Sequence, residues 1–547
     1  MNLIIPKENY VQKGYWRNKN IFTYLEEAYR SNPQRTAVDD GSVSYSYEEL
    51  YKKTIQLASY LKSIGIKKGD VISFQVPNWS ETLVIHFASA FLGAVCNPII
   101  PIYRKKEVKY ILKQSKTKVF FMPYKFRKFN YLEMVRELKE DLDELEKIII
   151  LDKYDNQPAI HSESEGFFDE SLQHPFNPDL NPEKVTETDP FLLMYTSGTT
   201  SNPKGVVHTH NTLIHENHTV ISLYQLTDQE VIFMPSPVTH IAGFVNGLEL
   251  PIMINGKLIL QDVWEPEEAV QKVIKENCTF LLGATPFLQG IYDVIKETKQ
   301  DIPLKIILCG GADVPPELVK RSSKLLNCFV SRVYGSTEYP TFTLCGPEDS
   351  LEKTAHTDGK PLEGSEALIL DDNMNPLSVN QVGELAVKGP EMFLGYLQSE
   401  FNKASFYGDY FLTGDLASID EDGYITIIGR KKDIIIRGGE NISVKEVEEL
   451  LYEHEHIQQV AVVAMPDPKM GEKACAYVKV EDQKDIDLPG MKEYLLDKGL
   501  AIQKIPERLE IIDQMPMTTS GKIQKFVLRE EIKRKIESEQ KDWEEKG

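Results

Sequence analysis

Short apolar runs recur along the chain as far as Leu308, and segments with helical periodicity lie near them, as at Glu267–Glu276 and Pro316–Leu326. Runs of four or five residues that are apolar almost throughout are typical of strands buried on both faces of a parallel sheet. The alternation predicts an α/β fold with partly parallel sheets. The predicted strands are Lys147–Leu151, Val231–Met234, Lys257–Leu260, Thr279–Leu282 and Lys305–Leu308.

The segment Thr82–Tyr103 carries no formal charge and is long enough to span a bilayer. His86, Pro98 and Pro101 interrupt its apolar pattern. We therefore interpret the segment as a buried helix that leads into a strand at residues 93–95, and we expect no transmembrane segment. The N-terminus has no basic stretch followed by an apolar one, so no signal peptide is expected.

Composition narrows the classes of partner. The chain has 547 residues, too many for one hydrophobic core, so two or more domains are expected. It carries 83 acidic and 62 basic residues, a formal net charge of −21, which disfavours nucleic acid and anionic membranes as partners.

The six cysteines have no metal-ligand spacing, so we expect reduced thiols in a soluble, cytoplasmic protein.

The pattern of elements changes after Gly429. Beyond it the sequence predicts a short α+β arrangement, and the best single boundary gives domains at residues 1–429 and 430–547. Residues 154–189 are polar, rich in proline and aperiodic, which predicts a connecting surface stretch. The charge-rich tail from Leu528 is expected to be a helix with a solvated end.

A loop rich in glycine and hydroxyl residues follows the apolar strand Phe191–Met194. Free backbone N–H groups in such a loop can surround phosphate oxygens, and a lysine at its end adds positive charge. The spacing differs from the Walker A pattern, and a flexible surface turn is the alternative interpretation of this loop alone. The candidate phosphate-binding residues are Thr196, Ser197, Gly198, Thr199, Thr200 and Lys204.

This loop, Thr196-Ser-Gly-Thr-Thr-Ser-Asn-Pro-Lys-Gly205, resembles the signature loop of the adenylate-forming superfamily, which contains acyl-CoA synthetases, luciferases and the adenylation domains of peptide synthetases. Four further motifs follow in the order of that family, and the match extends over nearly the whole chain. Together they make a chance resemblance implausible. They are Tyr334-Gly-Ser-Thr-Glu338, Thr413-Gly-Asp415, Gly429-Arg-Lys-Lys-Asp433 and Pro516-Met-Thr-Thr-Ser-Gly-Lys522.

Within that superfamily the sequence resembles bacterial short- and medium-chain acyl-CoA synthetases and cyclohexanecarboxylate-CoA ligases. That similarity lies in Cys309-Gly-Gly-Ala-Asp-Val-Pro315, His356-Thr-Asp-Gly359 and the segments 429–442 and 518–525. The resemblance implies a large N-terminal domain of layered sheets and helices and a small mobile α+β C-terminal domain. It also implies activation of a carboxylic acid by ATP, with Mg²⁺, and transfer of the acyl group to coenzyme A.

The resemblance implies a role for each matching residue. Lys522 would bridge the carboxylate and the α-phosphate in the first step, where negative charge accumulates. Glu338 would hold Mg²⁺, with Thr199 near the metal. Tyr334 would stack on adenine, and Asp415 with Arg430 would bind the ribose hydroxyls. The remaining nucleotide-binding residues would be Gly310, Gly311, Ala312, Gly335, Ser336 and Thr337.

Three other positions concern the second step and the acyl group. Gly438 and Gly439 would let the pantetheine arm of coenzyme A pass close to the backbone. Lys432 matches the hinge of the small domain. His240 matches a residue that gates the mouth of the acyl pocket, and it is a catalytic candidate with Lys522 and Glu338, although a lone histidine among apolar residues can equally be structural.

The lining expected for the acyl pocket is small or apolar, which favours a short- or medium-chain fatty acid. An aryl or alicyclic acid is the alternative, because Gly14-Tyr-Trp-Arg17 is similar to aryl-acid adenylating enzymes. A carrier-protein thiol could replace coenzyme A. A non-catalytic nucleotide-binding regulator is disfavoured because Glu338, Asp415, Arg430 and Lys522 are all present. A homodimer is compatible with the resemblance.

The glycine loop yields a test. In the variant Gly439→Leu, a side chain would occupy the path of the pantetheine thiol. We expect CoA-dependent turnover to collapse while acid-dependent exchange of pyrophosphate into ATP persists. Both rates are measured on the same preparation; loss of the exchange reaction in a folded variant would contradict the assignment of this loop to the second step.

Overall fold

The computed structural model describes residues 4–153, 158–177, 179–196, 203–437, 440–481, 486–518 and 521–544. Two large, mainly parallel sheets are followed by an antiparallel sheet and by an α+β region at the C-terminal end. The predicted α/β fold with a smaller α+β C-terminal part is therefore confirmed. The position of the domain boundary stays a prediction.

The first large sheet has nine strands, and its six central strands are parallel. Antiparallel pairs close it at each end. In spatial order its strands are Lys360–Pro361, Thr343–Leu344, Phe329–Tyr334, Ile306–Gly310, Phe280–Gly283, Val231–Met234, Lys257–Leu260, Thr36–Asp39 and Ser44–Ser46.

The second large sheet has seven strands, parallel except for one pair at its edge. That antiparallel pair flanks the predicted phosphate loop. In spatial order the strands are Lys204–Thr209, Pro190–Thr196, Val95–Pro98, Val71–Phe74, Thr117–Pro123, Lys147–Leu151 and Glu165–Phe167. A separate hairpin joins Lys125–Phe126 and Phe129–Asn130.

Helices cover both sheets, and the largest buried apolar cluster contains residues from each of them. The α-helices before residue 430 are Phe22–Ser31, Tyr47–Ser63, Glu81–Phe91, Lys105–Ser115, Tyr131–Leu138, Phe168–Ser171, His210–Tyr224, Ile241–Gly243, Leu250–Met253, Pro266–Lys275, Thr285–Thr298, Pro316–Leu326 and Leu351–His356. A π-helix spans Phe244–Glu249. Single 3₁₀ turns lie at Lys139–Asp141, Ser399–Phe401, Lys431–Asp433 and Ile502–Lys504.

The helix predicted in the uncharged segment is confirmed, and the strand after it begins at Val95, at the end of the predicted range 93–95. The segment forms the helix Glu81–Phe91, in which residues 82–91 are all buried, and then the strand Val95–Pro98. Within the described ranges no helix is both long and apolar enough to cross a membrane. The six cysteines are all unpaired, and five of them are buried, as expected.

A five-stranded antiparallel sheet lies between the large sheets and the C-terminal part of the chain. The sequence did not indicate it, because its strands are only partly buried and so lack continuous apolar runs. Its longest strand, Tyr410–Ile419, pairs with three others. The remaining strands are Glu366–Leu370, Gly383–Lys388, Phe406–Tyr407 and Ile425–Arg430.

The C-terminal part has a sheet covered by three helices, Val444–Tyr452, Leu488–Asp497 and Lys525–Glu544. Four strands pair antiparallel, and Arg508–Ile511 adds to Gly471–Val480 in parallel. The other strands are Glu440–Ile442, Ile435–Arg437 and Ile457–Asp467.

Two expectations about surface segments are wrong in part. Residues 154–189 contain the strand Glu165–Phe167, which extends the second sheet, and the short helix Phe168–Ser171. The tail is not simply solvated, because Leu528 and Ile532 are completely buried in an apolar cluster of the C-terminal sheet. In each segment a short apolar stretch is buried, by strand pairing in the first and by helix packing in the second, although the surrounding sequence is polar.

A buried ion pair joins the first large sheet to the antiparallel sheet. The guanidinium of Arg332, whose side chain is 2% exposed, donates to both carboxylate oxygens of Asp358 at 2.8 and 2.9 Å. Asp358 also accepts a hydrogen bond from the backbone N–H of Ile427. The aspartate of the His356–Gly359 motif is therefore a structural residue.

Removing one partner of such a pair leaves a buried, uncompensated charge. We expect Asp358→Ala to lower the free energy of unfolding by about 3–5 kcal/mol. Glu317→Ala, which breaks the exposed pair with Arg321, is the matched control and should cost less than about 1 kcal/mol. Urea denaturation followed by circular dichroism measures both; equal losses would show that the buried pair adds no more than a surface pair.

Candidate active site

The candidate nucleotide-binding residues cluster at the carboxyl ends of adjacent parallel strands, where open α/β sheets bind ligands. Gly310 ends the strand Ile306–Gly310, and Tyr334 ends its neighbour Phe329–Tyr334. A Cβ on Gly310 would lie 2.2 Å from the carbonyl oxygen of Val333, so the close approach of these strands requires glycine. Gly311 follows with a positive φ of 75°.

The next turn, residues 335–338, is also held by backbone contacts. A Cβ on Gly335 would lie 1.9 Å from the carbonyl oxygen of Pro340, which excludes any side chain there. The Ser336 N–H donates to the carbonyl of Tyr339 at 2.8 Å. The imidazole Nε2 of His208 lies 2.8 Å from the carbonyl oxygen of Thr337. Burial lowers the pKa of His208 to about 4, so its ring is neutral and donates this bond near pH 7.

Asp415 lies next to the aromatic ring expected to stack on adenine. The hydroxyl of Tyr334 donates to Oδ2 of Asp415 at 2.6 Å. Asp415 pairs with Arg430 across adjacent antiparallel strands, and the Arg430 Nε lies 3.7 Å from its Oδ1. Burial raises the pKa of Asp415, and the charge of Arg430 and the Tyr334 hydrogen bond act against that rise. The geometry suits a carboxylate that accepts hydrogen bonds from two hydroxyl groups.

Glu338 is connected to the base of the phosphate loop through Tyr396. The phenol of Tyr396 donates to Oε1 of Glu338 at 2.7 Å. The ammonium of Lys204 lies 4.9 Å from the centre of the Tyr396 ring and 4.8 Å from that of Phe401. Lys204 and Thr196 are directly paired across the two strands that enter and leave the loop.

The loop itself is described only at its ends. Ser197, Gly198, Thr199 and Thr200 lie outside the described residues, as do Gly438 and Gly439. The backbone of Lys432 lies in the turn Lys431–Asp433, but its side chain is not among the described ones. The roles assigned to these residues therefore stay predictions.

Lys522 reaches this site from the C-terminal part of the chain. It follows a tight turn in which the Thr518 N–H donates to the Lys522 carbonyl at 2.8 Å and the Lys522 N–H donates to the Thr518 hydroxyl at 3.0 Å. The turn docks on the start of the helix Thr285–Thr298, because a Cβ on Gly521 would lie 2.8 Å from Cγ of Pro286.

The charges that act on Lys522 include two of the candidate nucleotide-binding residues, Asp415 and Arg430. Burial and the neighbouring charge of Arg430 lower its pKa to about 8, and Asp415, Asp313 and Asp433 act in the opposite direction. The ammonium group is therefore mostly protonated at neutral pH. Lys522 is thus within electrostatic range of Asp415 and Arg430, although more than ninety residues of sequence separate it from either of them.

His240 is also affected by the charge of Lys522. Burial, and then the charge of Lys522, lower the pKa of His240 to about 4, so its imidazole is neutral at physiological pH. It precedes the turn Ile241–Gly243 and the π-helix Phe244–Glu249. π-helical turns are rare and often occur at functional sites. A Cβ on Gly243 would lie 2.2 Å from the Pro237 carbonyl oxygen, which fixes the path of this segment.

Several residues of the site were not found by sequence reasoning. Tyr396 holds Glu338, His208 holds the turn after Tyr334, and Gln398 accepts the N–H of Gly205 at 3.0 Å. None of them belongs to a motif with a recognisable spacing. The one sequence feature that could have drawn attention to His208 is its position a few residues after the predicted phosphate loop.

Comparison with known proteins extends these observations. The profile of the AMP-binding enzyme family matches residues 25–397, and the profile of the AMP-binding enzyme C-terminal domain matches residues 446–522. The medium-chain fatty-acid–CoA ligase of Escherichia coli K12 is 35% identical over 537 residues, which cover 96% of this chain and 93% of that protein. Human mitochondrial medium-chain acyl-CoA ligase ACSF2 is 29% identical, with 96% of this chain and 90% of that protein covered.

Among solved structures, the anthranilate CoA ligase AuaEII in complex with anthranoyl-AMP has a TM-score of 0.86 at 22% identity, covering 94% of this chain and 97% of that chain. A likeness at this identity supports the fold alone. The two profiles together span both the strand-end cluster around Tyr334 and the turn that carries Lys522. The resemblance read from the motifs is therefore confirmed: the chain belongs to the AMP-binding enzyme family, as an enzyme of the adenylate-forming type.

Proposed function

We propose that this protein is an ATP-dependent, AMP-forming acyl-CoA synthetase that activates a short- or medium-chain fatty acid. The single observation that carries the proposal is the docking of the turn before Lys522 on Pro286, with Lys525 3.8 Å from Asp313, in a region where the charge of Lys522 acts on Asp415 and His240. The sequence prediction of an acyl-CoA ligase is confirmed by the 35% identical relative, a medium-chain fatty-acid–CoA ligase. The identity of the carboxylic acid substrate is part of the proposal.

In the first half-reaction a carboxylate oxygen of the acid attacks the α-phosphorus of ATP. A P–O bond forms, the bond to pyrophosphate breaks, and acyl-adenylate results. Because both reactants are anions, positive charge is needed where the new bond forms. The protonated ammonium of Lys522 and the guanidinium of Arg430 supply it, and Asp415 accepts the ribose hydroxyls.

The residues present fit a magnesium ion. Glu338 is only partly buried; Tyr396 donates to its Oε1, and within the described ranges no group bonds to its other oxygen. Those ranges contain no cluster of three or more histidine, cysteine or acidic groups able to hold a metal. One carboxylate combined with substrate phosphates is the usual way in which proteins bind Mg²⁺. When bound, Mg²⁺ neutralises phosphate charge; Glu338 would hold it, with Thr199 as a further candidate.

In the second half-reaction the thiol of coenzyme A gives its proton to solvent, and the resulting thiolate attacks the acyl carbonyl carbon. The C–S bond forms and the C–O bond to AMP breaks. With a pKa of about 4, His240 is too weak a base to remove the thiol proton efficiently, so we assign it a hydrogen-bonding or gating role. Lys522 has no part in this step and must make way for the segment around Gly438 and Gly439.

Two chemistries in one acyl site require movement of the C-terminal part. We place the domains at residues 1–429 and 430–547, with the hinge at Lys432. Ion pairs flank that turn, since Lys431 lies 3.2 Å from Glu384 and Asp433 lies 2.8 Å from Arg529. A cytoplasmic location, a homodimer and the use of free coenzyme A instead of a carrier-protein thiol stay predictions.

The N-terminal motif gives little support to an aromatic substrate. Trp16 is buried in a small cluster with Tyr10 and Leu394, and its indole N–H donates to the carbonyl of Pro390 at 2.9 Å. Tyr15 packs edge-on against the His215 ring. These contacts give the motif a structural role, so the aliphatic proposal rests on the apolar segment after His240 and on the relatives.

Replacement of Lys522 should separate the two half-reactions. Lys522→Ala removes the charge that stabilises the first transition state, and we expect adenylate formation to slow by about a hundredfold or more. Thioester formation from supplied acyl-adenylate and coenzyme A should change far less. Single-turnover assays of each step provide the measurement, and an equal fall in both would disprove a step-specific role for Lys522.

A second prediction concerns pH. The pKa of Lys522 is lowered from its ordinary 10.5 to about 8, so its positive charge is present below pH 8 and is lost as pH rises through that value. The kcat/KM for pyrophosphate exchange, which reports the free enzyme, should fall about tenfold per pH unit above pH 8. Lys522→Arg stays charged, so its residual activity should show no such fall. An alkaline fall retained in Lys522→Arg would assign the titration to another group.

The substrate proposal is tested with a panel of acids. Each buried methylene contributes about 0.8 kcal/mol, so kcat/KM should rise with chain length until the pocket is full. We expect hexanoate or octanoate to exceed acetate, palmitate, benzoate and an amino acid. A preference for palmitate would reveal a long tunnel, and a preference for benzoate would favour the aryl alternative.

A further inference from the structure

One face of the helix Val444–Tyr452 contacts the region before residue 430. Lys445, Glu449 and Tyr452 are spaced by four and three residues and so share a helix face. The three side chains are directed at three different elements of the N-terminal region. None of them belongs to the nucleotide, metal or acyl residues assigned above.

The contact at Tyr452 is the most specific of the three. Its hydroxyl donates to Oε1 of Gln289 at 2.5 Å, on the helix Thr285–Thr298. Its ring packs on an apolar cluster formed by residues of the first large sheet and its helices. Tyr452 therefore makes both a polar and an apolar contact across the boundary.

The other two contacts are ionic or polar. Glu449 Oε1 lies 3.9 Å from Nη1 of Arg332, the buried arginine paired with Asp358. The ammonium of Lys445 donates to the carbonyl of Ile427 at 2.5 Å. Three separate points thus fix the orientation of the helix, and with it the orientation of the C-terminal sheet on which it packs.

A fourth contact lies next to Lys522 itself. Lys525 bonds to Glu448 at 2.8 Å within the C-terminal part, and its Nζ lies 3.8 Å from Oδ2 of Asp313 in the N-terminal region. Asp313 directly follows the Gly310–Ala312 turn. Any rotation that withdraws Lys522 from the site must break the contact with Asp313, whereas the Lys525–Glu448 pair can move as a unit.

We propose that Tyr452, with its partner Gln289, and Glu449 are positioning residues that hold Lys522 in the adenylation site. They touch no substrate and act through the placement of Lys522. Their contacts stabilise the arrangement needed for the first half-reaction and oppose the movement needed for the second. The inference rests on the proposed function, because it assumes two half-reactions that require different placements of Lys522.

The test compares the variants Tyr452→Phe, Gln289→Leu and their combination with the matched control Tyr494→Phe. The Tyr494 hydroxyl donates to the Leu450 carbonyl within the C-terminal part, so its loss removes one tyrosine hydroxyl bond without crossing the boundary. Single-turnover adenylation with ATP and octanoate, and thioester formation from octanoyl-adenylate and coenzyme A, are measured for each protein.

We expect Tyr452→Phe and Gln289→Leu each to slow adenylation by about three- to tenfold, the range for one hydrogen bond. Thioester formation should be unchanged or faster, the double variant should be no slower than either single one, and Tyr494→Phe should match the wild type in both steps. Tyr452→Ala and Glu449→Gln remove further contacts of the same helix face. Each should lower the rate of adenylation relative to the rate of thioester formation.

An equal fall of both half-reactions in Tyr452→Phe and Tyr452→Ala would show a merely structural role and overturn the inference. Unchanged rates in Tyr452→Ala would overturn it as well. Failure of the proposed function gives a different result, since the wild-type protein itself would then form no acyl-adenylate from any acid in the panel.

Discussion

The positive charge of Lys522 is held in a balance of opposing electrostatic effects, on which the candidate site depends. Burial and Arg430 disfavour its charge, whereas Asp415, Asp313 and Asp433 favour it. The chain as a whole carries a net charge of −21, so the positive potential needed for two anionic substrates has to be local. The antiparallel sheet supplies Arg430 and Asp415 on paired strands, and the C-terminal turn supplies the lysine.

Close backbone packing gives the site its rigidity. Gly310 and Gly335 are surrounded so tightly by the carbonyls of Val333 and Pro340 that neither position has room for a Cβ. The ring of Tyr334 is therefore positioned by its strand and by its bond to Asp415. One 2.6 Å hydrogen bond thus joins two residues that are some eighty positions apart in sequence, and it links the residues proposed to bind adenine and ribose.

Much of this fold could be predicted from the sequence because its central strands are buried on both faces. Lys147–Leu151, Val231–Met234 and Lys257–Leu260 have the predicted limits, since a strand covered on both sides is apolar throughout. The antiparallel sheet could not be found in this way. Its strands are partly exposed, and polar residues interrupt their apolar pattern.

The candidate site was predictable where a motif combines spacing with distinctive residue types, as at Tyr334, Glu338 and Lys522. Residues that act through tertiary contact carry no such signal. Tyr396 reaches Glu338 across fifty-eight positions of sequence, and nothing local distinguishes it from a core tyrosine. The same holds for Tyr452 and Gln289, whose contact exists only when the C-terminal part is docked.

One buried acid, Glu216, connects the segment after Glu338 with the segment after His240. Glu216, on the helix His210–Tyr224, is completely buried and accepts a hydrogen bond from Thr341, three residues after Glu338. Burial raises the pKa of Glu216, and the side chains of Thr341 and Asn246 oppose that rise. Asn246 belongs to the π-helix that follows His240. A carboxyl group with no countercharge stays buried only if it is largely protonated or well hydrogen-bonded. Thr341, three residues after Glu338, and Asn246 of the π-helix therefore both favour the carboxylate form of Glu216, and so two segments distant in sequence meet at one buried acid.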